Sequence, residues 1–381
     1  MKILFCANIY GSGFVGPARL AEGLLKINDL YRGQHEIRIL TADVQEEHFP
    51  VYKMNVQYPR FLRFFDFWFR GWAFYKGILK VQKEFDFDVI LFGNALYCLP
   101  TRYFLKNIPV AGFINDDHLI AVKWNNFLKH EGGKSLLILN QIEKYCAQKL
   151  DLVILCSQYL RQFVLDRYQC LPEKLFVLYQ GIELEKIPFQ PSEINPQNVI
   201  NILFVKNRFR LGGLHTLVQA LGKLDGFNFK LTVLGPPKED ETEITGWAAK
   251  IPHLKLDFKG PVSQEIVHRE LASHDILCIP AELEGQGLAN VEGLAHGISV
   301  VSAHAGGIPE VLDYGKNGWL CEPGNADSLA DTLKCCILAP PNERLAKSRR
   351  GRQFAEEKFS VPVMLENLLK MLTKIAEKEC R

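Results

Sequence analysis

Short apolar runs alternate with longer amphipathic stretches along nearly the whole chain. In the first half, the runs that predict strands are Ile3–Ala7, Ile37–Leu40, Val89–Phe92, Val110–Ile114, Leu152–Cys156 and Phe176–Leu178. In the second half they are Ile202–Val205, Leu231–Leu234, Leu254–Phe258, Ile276–Ile279, Val300–Ser302 and Trp319–Cys321. Amphipathic segments such as Leu20–Ile27 and Leu136–Lys149 lie between them and predict helices. Because parallel strands need helical crossovers, this alternation predicts two doubly wound, parallel α/β domains.

The junction between the two domains is predicted in the segment from Gly181 to Asn198, where prolines at 188, 191 and 196 interrupt any periodic pattern. We therefore place an N-terminal domain at residues 1–185 and a C-terminal domain at residues 186–362. The last helix candidate, Val363–Lys378, follows a proline, which is tolerated in a first helical turn. We expect this C-terminal segment, 363–381, to complete the first domain.

The composition is that of a soluble globular protein with real cores. The 381 residues are 48% hydrophobic and 23% charged, and the formal net charge of +2 gives no field for nucleic acid. The ten cysteines form no CxxC pair, and several lie in apolar runs, as reduced core thiols do. No run approaches the roughly 18 apolar residues that span a bilayer. We therefore expect a cytoplasmic protein.

A glycine-rich turn, Gly11-Ser12-Gly13-Phe14-Val15-Gly16, follows the first predicted strand and precedes a helix. Glycines let the backbone approach a phosphate, and a helix N-terminus supplies N–H donors. The spacing also matches the dinucleotide fingerprint, which requires an acidic residue about 20 residues further on. The nearest acid at a strand end is Asp43. Phosphate binding, an NAD-dependent oxidoreductase and a plain tight turn all stay open.

Two glutamates flank a second Gly-x-Gly turn, after the predicted strand Ile276–Ile279. Glu284 and Glu292 have seven residues between them, and the glycines open what we predict to be a helix. A carboxylate can accept hydrogen bonds from sugar hydroxyls, and the amides from Gly287 onward would face a diphosphate. Taken alone, the pair fits either a nucleotide-sugar site or a solvated helix face.

Further motifs follow this turn in a fixed order. They are Glu284-Gly-Gln-Gly-Leu-x-x-x-Glu292, Gly297-x-x-Val300, Gly306-Gly307-Ile308-Pro309-Glu310, Asn317-Gly318 and Pro323-Gly324, preceded by Gly181-Ile182-Glu183 and Gly260-Pro261-Val262. The series resembles the retaining glycosyltransferases of family four, and the resemblance covers nearly the whole chain. It implies a GT-B fold, in which two Rossmann-like domains face a cleft. It also implies transfer of a hexose from a nucleotide diphosphate sugar to a polysaccharide or lipid-linked oligosaccharide.

The resemblance implies a role for each motif of the second domain. Val262 would hold the base through its backbone, Glu292 the ribose, and Glu284 the donor sugar near its C3 hydroxyl. Sugar and phosphates would be bound by the amides of Gln286, Gly287 and Leu288. The donor itself is expected to be UDP-glucose or a related UDP-hexose, because such donors are common.

The first domain is expected to contribute from two loops. The resemblance places Gly13 and Gly16 near the diphosphate or the sugar. It also implies a histidine beside the donor sugar, in the loop after Val110–Ile114. Strict counting puts Asn115 at that position, and His118 is the candidate three residues later.

One departure from the family concerns the positive charge on the diphosphate. The family usually shows Gly-Arg or Gly-Asn after the first strand of the second domain, followed by Lys-Gly. This chain reads Lys206-Asn207-Arg208-Phe209-Arg210-Leu211-Gly212-Gly213, so glycine stands where the lysine is expected. Because a departing diphosphate needs preorganised positive charge, we expect Arg208 to supply it, with Arg210 or Lys206 as alternatives and Asn207 alongside. A catalytically silent nucleotide-sugar-binding protein is the competing interpretation.

The triplet Asp86-Phe87-Asp88 imitates the DxD metal motif of the other large glycosyltransferase fold. It precedes the predicted strand Val89–Phe92, where relatives with the GT-B fold place a strand-start acid. Since the sequence clusters no other metal ligands, we expect catalysis without a protein-bound metal and without a cofactor.

The segment 51–83 is basic and aromatic. It contains Lys53, Arg60, Arg63, Arg70, Lys76, Lys80 and Lys83 against one acid, Asp66, and it interleaves them with Phe61, Phe64, Phe65, Trp68 and Trp72. Basic residues attract anionic head groups, and aromatic rings settle at the membrane interface. The segment therefore predicts either a peripheral membrane contact or an aromatic helix packed on the first sheet.

Overall fold

The computed structural model describes residues 1–10, 16–44, 48–59, 65–114 and 133–379. They divide into two compact units, one of Met1–Gly181 with Pro362–Arg381 and one of Ile182–Val361. This division lies near the boundary at residues 185 and 186 that the sequence suggests.

The first unit is built on seven parallel strands. Its elements in chain order are β1 Lys2–Ala7, α1 Gly16–Leu25, α2 Ile27–Leu30, β2 Glu36–Thr41, β3 Val51–Lys53, α3 Asp66–Val81, β4 Val89–Phe92, α4 Leu99–Phe104, β5 Val110–Ile114, α5 Gly133–Lys149, β6 Leu152–Leu155, α6 Gln158–Tyr168 and β7 Leu175–Val177. The strand order in the sheet is β3-β2-β1-β4-β5-β6-β7. Strands β4, β5 and β6 are buried at every position, as expected for a parallel sheet covered on both faces.

The second unit is built on six parallel strands. Its elements are β8 Val199–Val205, α7 Leu214–Leu221, β9 Asn228–Leu234, α8 Glu241–Ala248, β10 Leu254–Gly260, α9 Gln264–Ser273, β11 Ile276–Ile279, α10 Leu288–His296, β12 Ser299–Ala303, α11 Ile308–Val311, β13 Trp319–Cys321, α12 Ala326–Leu338 and α13 Pro341–Phe359. The strand order is β10-β9-β8-β11-β12-β13. The prediction of two Rossmann-like, parallel α/β domains of the GT-B class is confirmed.

The C-terminal helix, α14 Val361–Glu379, has most of its length in the first unit. Its Met364 sulfur accepts a hydrogen bond from the Gly181 amide at 3.2 Å, and the Lys374 ammonium lies 5.7 Å from the Phe176 ring centroid. Apolar side chains at Leu365 and Leu368 are fully buried. The amphipathic pattern of α14 is therefore used in covering the first unit.

Strand β3 is the one described strand that the apolar pattern did not predict. It is three residues long, and only Val51 is buried in it. It pairs with the edge of β2 from Ile39 to Thr41. A strand this short has too few positions to display an alternation of apolar and polar residues, so only its pairing partner defines it.

Candidate functional site

The candidate site lies at the carboxyl edge of the second sheet. Strands β9 and β10 lie on one side of β8, and β11, β12 and β13 lie on the other. The order of the strands thus reverses between β8 and β11. In open α/β sheets, ligands bind outside the carboxyl ends of the strands at such a switch point. The loops that leave β8 and β11 therefore form the candidate ligand-binding site.

The loop after β8, residues 206–213, is pressed against its neighbours by glycine contacts. A Cβ atom on Gly213 would lie 2.1 Å from the Pro280 carbonyl oxygen, and the φ of Gly213 is +76°. On the other side, a Cβ on Gly235 would lie 2.7 Å from the Lys206 carbonyl carbon. Only glycine fits both positions. The backbone of this loop is consequently packed closely against Pro280 and Gly235.

Glu284 in the loop after β11 has a fixed backbone. Its carbonyl oxygen accepts a hydrogen bond from the Gly307 amide at 3.0 Å. A Cβ on Gly306, whose φ is +55°, would lie 1.9 Å from the same oxygen. The neighbouring Glu282 amide donates to the Leu211 carbonyl at 3.0 Å, which ties this loop to the loop after β8. The backbone at Glu284 is thus fixed by the turn at 306–307 and by the loop after β8.

An ion pair joins the two loops. The Lys206 ammonium donates to a carboxylate oxygen of Glu284, and the two side chains are 25% and 12% exposed. Half-buried charges are costly to separate from water unless they are paired. The pair brings a predicted sugar-binding carboxylate together with one of the cations proposed for the diphosphate.

Helix α10 points its N-terminus at this region. It begins after Gly287, whose φ of +89° is left-handed and suits glycine. Gln286 and Gly287 are buried, and Leu288 is the first residue of the helix. The amide side chain of Asn290 donates to Ser302 Oγ at 3.4 Å, while its buried Oδ1 has no partner among the described residues. Unpaired helical amides at such an N-terminus favour an anionic ligand.

Glu292 lies in the body of α10 and is only 3% exposed. Its Oε1 accepts a hydrogen bond of 2.6 Å from Nε2 of Gln264, the first residue of α9. Val262 lies two residues before that helix, after the end of β10. The structure therefore connects the residue predicted for the ribose with the segment predicted for the base.

The polar contacts continue from Glu292 into the protein. Gln264 Nε2 lies 3.3 Å from His268 Nε2, and His268 Nδ1 lies 3.0 Å from His296 Nε2. His296 is fully buried, and burial, followed by the charges of His268 and Arg352, lowers its pKa to about 4. His296 is consequently neutral at pH 7 and takes part in the network as an uncharged ring.

The predicted cations of the loop after β8 occupy different surroundings. Arg208 and Arg210 are exposed. Arg210 pairs with Glu243 and lies 3.7 Å from Asp240, and its guanidinium carbon lies 4.5 Å from the Phe209 ring centroid. Arg210 thus contacts one acidic residue just before α8 and another in its first turn. Its assignment to the donor, like that of Arg208 and Asn207, stays a prediction.

Several predicted residues of the first unit lie outside the described residues. They are Gly13, Asn115 and His118, together with Phe61 and Phe64 of the aromatic segment. Gly16 is the first residue of α1. The roles implied for Gly13, Gly16 and His118 therefore stay predictions.

Two acidic residues of the first unit, Asp88 and Asp43, lie in sequence patterns that resemble ligand motifs. Both accept hydrogen bonds from backbone amides. Asp88 Oδ2 accepts a hydrogen bond from the Lys2 amide at 2.7 Å, and the Asp88 amide donates to the Lys2 carbonyl at 2.9 Å. Asp43 Oδ2 accepts from the Tyr10 amide at 3.2 Å. Within the described ranges, no group of three or more His, Cys, Asp or Glu residues could hold a metal ion. Asp88 accordingly serves as a strand-start acid.

Helix α3 has one packed and one aromatic face. Phe74 and Ile78 are buried on the packed face. On the other, Trp68 is 47% exposed and Phe104 of α4 is 58% exposed. Trp72 contacts both, with ring centroids 6.2 and 5.6 Å away. Among the helices described, none has the length and apolar character to cross a membrane.

Two family models match the chain in succession. The model described as Glycosyltransferase Family 4 matches residues 23–186, and the model described as Glycosyl transferases group 1 matches residues 186–354. The fold, the edge of the second sheet and these matches define a glycosyltransferase of the GT-B class. Each model matches less than half of the chain, but together they cover residues 23–354, so the chain resembles family-four glycosyltransferases over most of its length.

Individual relatives extend the likeness over most of the chain. An uncharacterized glycosyltransferase of Methanocaldococcus jannaschii is 26% identical over 370 residues, which are 94% of each chain. The amylovoran biosynthesis glycosyltransferase of Erwinia amylovora is 30% identical over 172 residues, 43% of this chain and 42% of its own.

Solved structures show the same fold. Sucrose-phosphate synthase of Thermosynechococcus elongatus has a TM-score of 0.77 at 16% identity, with 98% of each chain covered. Anabaena HepE, solved in complex with UDP-glucose, has a TM-score of 0.72 at 18% identity, covering 98% of this chain and 100% of its own. At this level of identity, the likeness concerns the fold alone.

Two residues of the site escaped the sequence reasoning in different ways. The sequence indicates Lys206 only as an alternative cation, because its pairing with Glu284 spans 78 positions and leaves no local signal. It gives no signal for Gln264, although this residue opens the helix after Val262. A hydrogen bond between residues 28 positions apart is set by the packing of α9 on α10, and spacing in the sequence does not encode it.

Proposed function

We propose that this protein is a retaining glycosyltransferase that moves a hexose from a UDP-sugar, such as UDP-glucose, to a saccharide acceptor. The observation that carries the proposal is the arrangement of Glu284, the N-terminus of α10 and Glu292 along one stretch at the switch point of the second sheet. The spacing of these three features suits a sugar, a diphosphate and a ribose in that order. Anabaena HepE, which shares the fold, was solved with UDP-glucose.

Each part of the donor has a partner in this proposal. The backbone at Val262 contacts the base, and Glu292 accepts hydrogen bonds from the ribose hydroxyls. The amides of Gln286, Gly287 and Leu288 contact the diphosphate and the sugar, where they would cost no reorganisation on binding. Glu284 accepts hydrogen bonds from hydroxyls of the donor sugar.

The chemistry we propose uses positioning and charge. The bond from the sugar carbon to the diphosphate oxygen breaks through an oxocarbenium-like state. The departing diphosphate oxygen then takes the proton of the acceptor hydroxyl, which attacks from the same face, so configuration is retained. The protein contributes cations for the leaving group, and His118 is proposed beside the sugar. We expect EDTA to leave the rate unchanged.

The acceptor that we propose is a polysaccharide or a lipid-linked oligosaccharide. One relative is named for amylovoran biosynthesis, and the exposed aromatic face of α3 supports a site near lipid. Exposed Lys76 and Lys106 give this part of the first unit the charge that anionic head groups attract. We therefore propose a peripheral contact with the anionic inner face of the cell membrane.

Vesicle sedimentation tests the membrane contact. We expect the protein to sediment with vesicles that contain phosphatidylglycerol and to remain in solution with phosphatidylcholine alone. Trp68→Ser with Phe104→Ser should reduce the sedimented fraction severalfold, whereas Leu338→Ser, at an exposed apolar residue of the second unit, should leave it unchanged. Equal sedimentation of the double variant would remove the aromatic face from the proposal.

Hydrolysis and transfer assays test the enzyme. UDP-, GDP- and ADP-sugars are screened first by thermal shift, and turnover is followed by NMR, which reports the configuration of the new bond. We expect turnover of a UDP-sugar with retention and a loss of at least about 100-fold in Glu284→Ala, because a missing charged partner costs several kcal/mol in the transition state. Tight binding without turnover would favour a silent binding protein, and binding of NAD without UDP would favour an oxidoreductase.

A further inference from the structure

Lys206 and Gly212 compete for one volume. A Cβ atom on Gly212 would lie 2.9 Å from Cγ and 3.1 Å from Cβ of Lys206, and 2.8 Å from Cζ of Phe204. Real Cβ atoms are rarely found so close to other heavy atoms. The stem of Lys206 therefore fills the space that a side chain at position 212 would occupy. Residue 212 is the position where the family usually has a lysine.

The ammonium of Lys206 ends at the candidate site. Its side chain is only 25% exposed and is paired with Glu284. Its backbone amide donates to the Leu234 carbonyl at 3.1 Å, which fixes the start of the chain segment that carries it. Arg210, by contrast, is 60% exposed and engaged with Glu243 and Asp240. Lys206 is thus the cation that is held beside a predicted sugar-binding carboxylate.

We infer that Lys206 carries the positive charge for the donor diphosphate, in place of a lysine at position 212. The inference rests on the proposed function. In the absence of donor, Glu284 holds the ammonium near the N-terminus of α10. When the donor binds, the ammonium exchanges one anionic partner for another, from Glu284 to a diphosphate oxygen. The exchange leaves Glu284 free to accept hydrogen bonds from the sugar hydroxyls.

This arrangement couples two steps that would otherwise be independent. An ammonium on one oxygen of Glu284 competes with a sugar hydroxyl for that oxygen, and a diphosphate without a cation is a poor leaving group. Because one lysine serves both groups in turn, binding of the diphosphate frees the Glu284 oxygen that the ammonium held. UDP should therefore improve the binding of the sugar portion, and Lys206 should be required for that improvement.

Titration calorimetry with UDP and UMP tests the role of Lys206 separately from turnover. We expect wild type to bind UDP more tightly than UMP, and Lys206→Met to weaken UDP at least tenfold while UMP changes less than threefold. Lys223→Met is the matched control, because Lys223 is an exposed lysine that also pairs with a carboxylate, that of Asp327. It should change neither affinity. An unchanged preference for UDP in Lys206→Met would overturn the inference.

The same titrations separate the inference from the proposed function. The affinities for GDP and GMP and for ADP and AMP are measured in parallel. If the protein prefers a base other than uracil, one of these pairs still shows the contribution of the second phosphate. If wild type binds no nucleoside diphosphate, the proposed function fails and the inference fails with it. If wild type binds UDP and turns over a UDP-sugar while Lys206→Met does both equally well, only the inference fails.

A positional exchange tests the shared volume. The double variant Lys206→Gly with Gly212→Lys moves the ammonium to position 212 and removes the Lys206 stem from that space, while the tip of the Phe204 ring must still shift. We expect it to recover at least half of the UDP preference that Lys206→Gly loses. Gly212→Lys alone should destabilise the protein and should lower the melting temperature, because both stems then need one volume. A double variant that melts like wild type yet binds UDP no better than Lys206→Gly would contradict the shared-volume argument.

Discussion

The two sheets reverse their strand order in the same way, but the polar groups at their switch points have different kinds of hydrogen-bond partner. In the first unit the reversal lies between β1 and β4. There the Gly93 amide donates to the Cys6 carbonyl at 3.0 Å, Asn94 Oδ1 accepts from the Leu96 amide at 2.9 Å, and Asp43 accepts from the Tyr10 amide. These polar groups at the described part of the edge are used to satisfy the backbone.

At the switch point of the second unit, side chains pair with side chains. Lys206 pairs with Glu284, and Gln264 donates to Glu292. A side-chain pair can be exchanged for a ligand without breaking the turn that holds it, whereas a backbone cap cannot. The shared topology therefore provides a position for a ligand in both units. The charged side-chain pairs at the second switch point make that one the candidate donor site.

The largest effect of a single substitution is expected at the glycines of the second edge. Gly306→Ala places a Cβ 1.9 Å from the Glu284 carbonyl oxygen at a φ of +55°. We expect a loss of about 2–4 kcal/mol in the free energy of unfolding, because backbone must move on both sides. Urea unfolding measures it, and donor affinity should fall as Glu284 is displaced.

Two control glycines calibrate that result. A Cβ on Gly246 in α8 would meet no heavy atom within 4 Å, so Gly246→Ala should be neutral or stabilising by up to about 1 kcal/mol. At the first edge, a Cβ on Gly93 would lie 3.1 Å from Asn8 Oδ1, and its cost should be intermediate. A cost for Gly306→Ala no larger than that for Gly93→Ala would remove the distinction between the edges.

Removing the ribose carboxylate should have the next largest effect. Hydrogen bonds to a charged group contribute about 1.5–3 kcal/mol, so Glu292→Ala should weaken UDP by roughly 10- to 100-fold. Gln264→Ala, which leaves the carboxylate but frees its orientation, should weaken UDP less. Calorimetry measures both, and Glu366→Ala, at an exposed residue paired with Lys370, is the control. Unchanged affinity in Glu292→Ala would exclude it from the ribose site.

Much of the fold could be predicted because parallel strands covered on both faces are continuous apolar runs. Strands β4, β5, β11 and β13 begin and end at the predicted residues. The order of the strands, however, depends on which helix covers which face, and no local pattern contains that information. The edge strand β3 has a single buried residue and was missed for that reason.

The site was predictable where it is a backbone motif. The turn before α10 is recognisable in the sequence because its backbone needs a left-handed φ at position 287, which favours glycine there. Side-chain partners are set by packing between distant segments. The linear pattern favours Arg208 over Lys206, whereas the volume that Lys206 shares with Gly212 is visible only in three dimensions.

A smaller, pH-dependent effect is expected from His296, at the inner end of the network that starts at Glu292. Burial lowers its pKa to about 4, so between this value and about 6.5 the unfolded chain binds more protons than the folded chain. Stability therefore falls as pH falls through this window. We expect a loss of about 1–2 kcal/mol from this group between about pH 7 and pH 5, measured by urea unfolding. His296→Gln should flatten the dependence of the free energy of unfolding on pH in this window. An equal slope in both proteins would mean that another group causes the loss of stability.

Replacement of Arg210 should have the least effect, because this cation is exposed whereas Lys206 is mostly covered at the site. Its partners, Glu243 and Asp240, compete with any diphosphate for the guanidinium, and exposed ion pairs contribute about 0–1 kcal/mol. Arg210→Met should therefore change the free energy of unfolding by less than about 1 kcal/mol and UDP affinity by less than threefold. Increasing salt should reduce even this difference, since exposed charges are screened. A loss of UDP affinity as large as that of Lys206→Met would instead place Arg210 on the diphosphate, as the sequence allowed. Arg210 would then have to leave Glu243 and Asp240 when the donor binds, and the loop after β8 would have to move.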